Sequence, residues 1–239
     1  MKKIADFFVY VFITTPIGAM FGIFFFILRL IGRIKVLHWE RFPHWEREIL
    51  VISNHPSMLE TVMLPALFFH EYMVNPWWFA PMNTPDLHNF YKRWYWAWAR
   101  PICVPIDRTS LISEGKSLYL IRKAIEEKKI VILFAEGGRT FRGKTFLHSK
   151  SGKKMRELKR GVGRLVARTN VKVLPIWIDG TDTVLLNHST KLFGGINPKG
   201  KITIRIGELM EFPKSLRMGK GEEIIEKIEQ ALLKLADEE

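Results

Sequence analysis

Asn54-His55-Pro56-Ser57-Met58-Leu59-Glu60 sets a histidine five residues ahead of a carboxylate, directly after the apolar run Ile49-Leu50-Val51-Ile52. A second stretch, Phe134-Ala135-Glu136-Gly137-Gly138-Arg139-Thr140, puts an acidic-glycine-glycine-arginine turn directly after Ile130-Val131-Ile132-Leu133. A histidine steadied by a carboxylate can take a proton from an alcohol. Paired glycines let backbone N–H groups face an anion, and an arginine adds a planar fork for phosphate. Together they suit a site that activates a hydroxyl carried on a phosphorylated molecule. His55 and Glu60 are its candidate catalytic pair; Glu136, Gly137, Gly138 and Arg139 are its candidate phosphate-binding turn.

Local chain chemistry supports the pairing. Pro56 disfavours helical geometry at His55 and is itself suited to the first position of a helix, so His55 belongs at the mouth of that helix and Glu60 in or near its first turn. There the carboxylate can fix the imidazole tautomer, while the helix N-terminus favours the neutral base. Arg108, at the end of Ile106-Asp107-Arg108, is a candidate second phosphate fork, and Asn54, Lys159 and Arg160 can line the same cleft. A competing motif, Gly138 to Thr145, fits the nucleotide-binding loop pattern G-x-x-x-x-G-K-[ST] and also follows an apolar strand. That loop must run into a helix, and Phe146-Leu147-His148-Ser149 is a poor helix start. No G-x-S-x-G elbow, no H-E-x-x-H and no paired-histidine zinc spacing occurs, so neither a serine esterase nor a zinc enzyme is indicated.

The elements that must hold these groups alternate. Buried strands are expected at Ile49 to Ser53, Trp77 to Ala80, Ile102 to Ile106, Ile130 to Ala135, Val171 to Ile178 and Ile202 to Ile206. Helices are expected at Ser57 to Phe69, Asp86 to Ala99, Ser113 to Lys128, Lys154 to Arg168 and Glu222 to Leu235. This predicts an α/β fold with a mostly parallel sheet and helices on both faces, which binds ligands at the carboxyl ends of its strands. Both motifs fall at such ends.

Phe7 to Leu28 carries no charge, and as a helix it rises about 33 Å, enough to cross a bilayer core. Thr15-Pro16-Ile17-Gly18 interrupts it, so two short helices dipping into one leaflet are an alternative to a single span. Residues 1–35 are expected to form this membrane segment and 36–239 the remaining domain. Lys2 and Lys3 precede the segment and the heavier Arg29, Arg33 and Lys35 follow it, which puts the bulk of the protein at the cell membrane on its cytoplasmic side. Trp94, Tyr95, Trp96 and Trp98 mix with Lys92, Arg93 and Arg100 and suit either a membrane interface or ordinary packing.

Composition bounds the rest. In 239 residues, 47% hydrophobic content supplies a core, and a formal charge of +13 calls for an anionic partner. The single cysteine, Cys103, leaves no disulfide framework. Nucleic acid is the poorer partner, because the basic residues are spread along the chain with no recognition motif. A basic, membrane-anchored protein that only binds anionic lipid is a non-enzymatic alternative.

Four blocks in order resemble the glycerolipid acyltransferase family. Asn54-His55-x4-Glu60 resembles the first, which usually ends in Asp; Val104-Pro105-Ile106-Asp107-Arg108 resembles the second. Phe134 to Thr140 resembles the third, usually Phe-Pro-Glu-Gly-Thr-Arg-Ser, and Val173-Leu174-Pro175-Ile176 the fourth. Glu60, Ala135 and Gly138 depart from the usual residues, as does the absence of a glycine early in the second block. The resemblance implies a general-base role for His55 on the free hydroxyl of a lysophospholipid, most simply lysophosphatidic acid, with Glu60 orienting it. It implies acyl-CoA or acyl-ACP as co-substrate and no other cofactor, phosphate binding by Arg108 and Glu136 to Arg139, membrane phospholipid around the site, and acyl carrier protein as a partner if it is the donor.

Overall fold

The computed structural model describes residues 7–185, 195, 197, 199–217 and 221–239. Lys2 and Lys3, the basic flank ahead of the apolar segment, lie outside the described residues. The chain is helical from Phe7 to Leu30. Tyr10–Thr14 forms a wide π-helical turn, and α1 runs from Thr15–Leu30. Pro16 explains the wide turn: it offers no N–H and its ring crowds the carbonyl one turn back, so the helix opens just before it. Thr15 Oγ1 donates to the Tyr10 carbonyl at 2.9 Å, supplying a donor there. The apolar segment is therefore one continuous helix rather than two short ones.

The strands β1 (Ile34–Leu37), β2 (Ile49–Ser53), β3 (Met82–Asn83) and β4 (Val131–Leu133) join the later β7 (Lys172–Asp179) and β8 (Ile202–Ile206) in one six-stranded sheet. Its order is β1-β8-β7-β2-β4-β3. β2, β3, β4 and β7 run parallel, whereas β8 is antiparallel to β7 and carries β1 parallel to itself at the edge. Between them β5 (Leu147–His148) and β6 (Lys154–Met155) form a small antiparallel hairpin. The α/β, mostly parallel prediction holds, with the reversed pair at one edge as the refinement. β1 is not among the expected strands, and it starts just ahead of the expected boundary at residue 36.

The main helices are α2 (Glu60–Ala66), α3 (Leu111–Glu126), α4 (Arg160–Arg168) and α5 (Glu222–Asp237). β2 is buried on both faces and divides its side chains between them: Leu50 and Ile52 enter one core with residues of α3, α4 and α5, Ile49 and Val51 the other with residues of α1 and α2. This is the period-two alternation of a strand covered on both sides. Four expectations fail locally. Trp77 to Ala80 is not a strand but part of a short helix, Pro76–Phe79, because Pro76 suits a helix start and Asn75 Oδ1 accepts from the Trp78 N–H. Asp86 to Ala99 is broken into a π turn, Leu87–Tyr91, and a 3-10 run, Trp94–Ile102, and only single bridges remain of the strand expected to Ile106. The helix expected from Lys154 begins at Arg160, since Lys154 and Met155 pair with β5.

α1 lies along the domain through small residues. A side chain at Gly22 would meet Phe69 Cδ2 at 2.0 Å, and one at Gly18 would meet the Tyr72 hydroxyl at 2.7 Å. Glycine at these two positions, one turn apart, lets the aromatic rings of the Phe69–Val74 helix touch the α1 backbone. Tyr10 donates to the Pro76 carbonyl and Thr14 to the Trp98 carbonyl, and Arg29 sits 5.1 Å from the Trp39 ring centre. The opposite face is bare: Phe12 is 67% exposed and Leu30 76%, and elsewhere on the domain Trp77, Trp78 and Trp94 are exposed as well. Gly22→Leu is expected to cost about 1–3 kcal/mol through overpacking at Phe69, read as a lower Tm of the purified protein in detergent. An unchanged Tm would mean that α1 is not held by this contact.

Candidate active site

The site gathers at the carboxyl ends of β2, β4 and β7. Ser53 ends β2, and the chain passes Asn54, His55 and Pro56 in extended and bent conformation before α2 begins at Glu60. Pro56 is thus in the approach to the helix rather than at its first position, and Glu60 opens it. His55 Nδ1 faces Glu60 Oε2 at 3.4 Å. That distance is long for a hydrogen bond, and neither atom has another partner among the described residues. Nδ1 is buried, so the accessible part of the ring, 14% of the side chain, lies on its other side. The ring also stacks on Phe134 at 4.3 Å between centres, which fixes its plane.

Glu60 is fully buried and gripped at its other oxygen. Oε1 accepts from the Ser57 N–H at 2.7 Å and from the Thr181 hydroxyl. With Oε1 occupied, Oε2 is left to the imidazole, and the carboxylate favours the tautomer that carries its proton on Nδ1.

Glu136 does not do what the sequence suggests for it. It is fully buried, and both oxygens are taken within the chain: Oε1 accepts from the His55 N–H at 2.7 Å and the Thr140 hydroxyl at 2.8 Å, Oε2 from the Arg156 N–H at 2.9 Å. Thr140 N–H donates in return to the His55 carbonyl at 2.8 Å. Burial pushes the Glu136 carboxyl above its usual range, against the pull of the Arg156, Thr140 and His55 donors. Its role in this geometry is to tie the His55 loop to the glycine turn. Glu136→Gln would set an amide N–H₂ against one of those donors, and is expected to lower the Tm by several degrees, a loss on the order of 1–3 kcal/mol. A Tm equal to wild type would show that the tie is dispensable.

Gly137 has φ of +74°, and a side chain there would meet Lys159 Cε at 2.6 Å, so glycine both makes the turn and lets the Lys159 stem cross it. Gly138 stands against Arg156 Nη1 in the same way, at 2.9 Å. The Arg139 and Arg142 guanidiniums lie 4.9 and 5.6 Å from the Phe141 ring centre. Burial and Arg142 hold the Arg139 pKa below its ordinary value, against an upward pull from the Glu60 carboxylate. An open cleft of about 310 Å³ runs past Glu136, with Arg142, Lys144, Arg156 and Lys159 on its walls.

A family model described as Acyltransferase matches residues 33–179, more than half the chain. The chain belongs to the acyltransferase family. Among solved structures it is similar to the crystal structure of the 1-acyl-sn-glycerophosphate (LPA) acyltransferase PlsC from Thermotoga maritima, with a TM-score of 0.65 and 18% identity over 93% of this chain and 78% of that one. At this identity the likeness is one of fold. No curated protein matches.

The remaining candidates are placed as follows. Asn54 is a strut: its Oδ1 accepts from the Ile178 N–H and its Nδ2 donates to the Ile178 carbonyl, both at 2.8 Å, pinning the end of β2 to β7. Lys159 joins the turn, its N–H donating to the Ala135 carbonyl at 2.9 Å. Arg160 is exposed at the start of α4, and Arg108 is exposed in the turn after Ile106; neither has an ion pair among the described residues. The nucleotide-loop alternative fails on geometry, because Gly138 to Thr145 leads into a 3-10 turn and the β5–β6 hairpin rather than a helix. Spacing rules do not single out Ser57, Phe134, Thr140, Arg156 or Thr181, although each touches the loop from His55 to Glu60 or the turn. Thr140 and Phe134 are legible as members of the third block; Thr181 carries no signal.

Proposed function

We propose that the protein transfers an acyl chain from an acyl thioester, acyl-CoA or acyl-ACP, to the free hydroxyl of lysophosphatidic acid, giving phosphatidic acid. The observation that carries this reading is the His55–Glu60 pair, its Nδ1 turned to a buried carboxylate beside an arginine-bearing glycine turn. The Thermotoga maritima PlsC that shares the fold is named as an acyltransferase of the same acceptor, LPA, which supports the choice.

In this reading the outer ring nitrogen of His55 removes the acceptor hydroxyl's proton as the oxygen attacks the thioester carbonyl. Glu60 stabilises the imidazolium that forms. The tetrahedral intermediate collapses by breaking the carbon–sulfur bond, and the imidazolium proton goes to the leaving thiolate. Ester and free thiol result, with no acyl-enzyme and no resident cofactor. Arg139, with Arg142, Arg156 and Lys159 nearby, supplies positive charge for the acceptor phosphate, and the exposed Arg108 is a further cation for it; at the turn the Gly138 N–H takes part, whereas the Gly137 N–H is bonded to the Phe134 carbonyl.

The bare face of α1 supports a membrane location. Because the N-terminal helix, the π turn and α1 together, is packed on the domain from Tyr10 to Arg29, we infer that it lies in one leaflet with its free face in lipid, rather than spanning. The basic flank Arg29, Arg33 and Lys35 suits the anionic cytoplasmic leaflet and supports that side. Incubation of the purified protein with acyl-CoA or acyl-ACP and lysophosphatidic acid, with phosphatidic acid followed by mass spectrometry, tests the reaction. No product from either donor would overturn this acceptor assignment.

A further inference from the structure

Glu60 is unusual in carrying one methylene more than the aspartate that ends the resembled first block. The longer side chain has an extra torsion, so it must be restrained before it can hold an imidazole. Two donors restrain it. One is the Ser57 N–H in the same loop; the other, the Thr181 hydroxyl, comes from just beyond the end of the neighbouring strand β7. Thr181 has no accessible surface and follows β7 directly. Its place is set by backbone geometry: Gly180 has φ of +83°, and a side chain there would lie 2.1 Å from the Lys201 carbonyl oxygen. Only glycine makes that turn without displacing β8's approach. The Asn54 bracket on Ile178 then fixes this end of β7 relative to the His55 loop.

We propose that Thr181 is a positioning residue for the acyl transfer, acting through Glu60. This rests on the general-base reading of His55. By donating to Oε1, the Thr181 hydroxyl selects the carboxylate rotamer in which Oε2 faces His55 Nδ1. Without that donor the carboxylate is free to turn, Nδ1 loses its facing group, and the ring no longer keeps one tautomer.

The test is a double-mutant cycle on the full-length protein in detergent, with Thr181→Val, Thr181→Ser, Glu60→Ala and the double variant Thr181→Val/Glu60→Ala. Thr181→Val is expected to lower kcat about 10- to 100-fold, the scale on which misplaced catalytic groups cost rate, with KM for both substrates nearly constant. Thr181→Ser keeps the hydroxyl and restores most of the rate. In the Glu60→Ala background, Thr181→Val adds no further loss, because its target is already gone. A wild-type kcat in Thr181→Val, or a full additional loss in the Glu60→Ala background, overturns the proposal. Thermal melts separate misfolding from misplacement, and Thr181→Ala replaces Val in the cycle if Val does not fold. A wild-type rate in His55→Ala would overturn the general-base reading and this proposal with it; loss in His55→Ala with a wild-type Thr181→Val overturns only this one.

Discussion

His55→Ala is expected to lower the rate of phosphatidic acid formation about 10²- to 10⁴-fold, the usual contribution of a positioned general base. The fold should survive. What holds the loop is the His55 backbone, whose N–H donates to Glu136 and whose carbonyl accepts from Thr140; alanine keeps both. The ring contributes only its stack on Phe134 and its approach to Glu60. Removing it leaves Glu60 Oε2 buried without a facing group, which costs stability on the order of 1–3 kcal/mol and not the native state. Initial rates with saturating thioester, beside a thermal melt, read both quantities. An unchanged rate would sink His55 as the base and turn attention to the glycine turn.

The His55–Glu60 pairing is legible because its members are near each other in sequence and an apolar strand points at them. The same holds for the turn: Ile130 to Phe134 announces a buried strand, and glycines at its end announce a turn. What the sequence conceals is how far the site reaches. Thr181 grips Glu60 from beyond the carboxyl end of β7, and Arg156 meets Glu136 from beyond the β5–β6 hairpin. No periodicity links such residues; only the strand order that sets β7 and β4 on either side of β2 does. Glu136 shows a second limit. Its residue type is readable as part of an anion-binding turn, but a carboxylate is an acceptor, and burial among three donors makes it a brace for the protein's own backbone. Among the elements, Trp77 to Ala80 misleads because an apolar run of that length fits a strand or a helix equally, and Asn75-Pro76 decides it. β1 escapes because Lys35 interrupts a four-residue strand that pairs only at the sheet edge.

Arg139→Ala tests whether the turn binds the acceptor's phosphate. A charge-assisted contact of this kind is worth about 1.5–3 kcal/mol, so KM for lysophosphatidic acid should rise roughly 10- to 150-fold. KM for the thioester should stay near wild type. The guanidinium lies against the Phe141 ring, in the turn whose neighbours Glu136 and Arg142 line the cleft. Its partial burial strengthens the contact, since an anion arriving there loses less to water screening. Arg139→Lys should recover only part of the loss, because an ammonium lacks the planar fork. The decisive control is an acceptor without a phosphate. Monoacylglycerol is expected to be a poor substrate for the wild type and no poorer for Arg139→Ala. If both acceptors lose equally, Arg139 holds the site's shape rather than the phosphate, and the binding of that group passes to Arg142, Arg156 and Lys159 along the cleft.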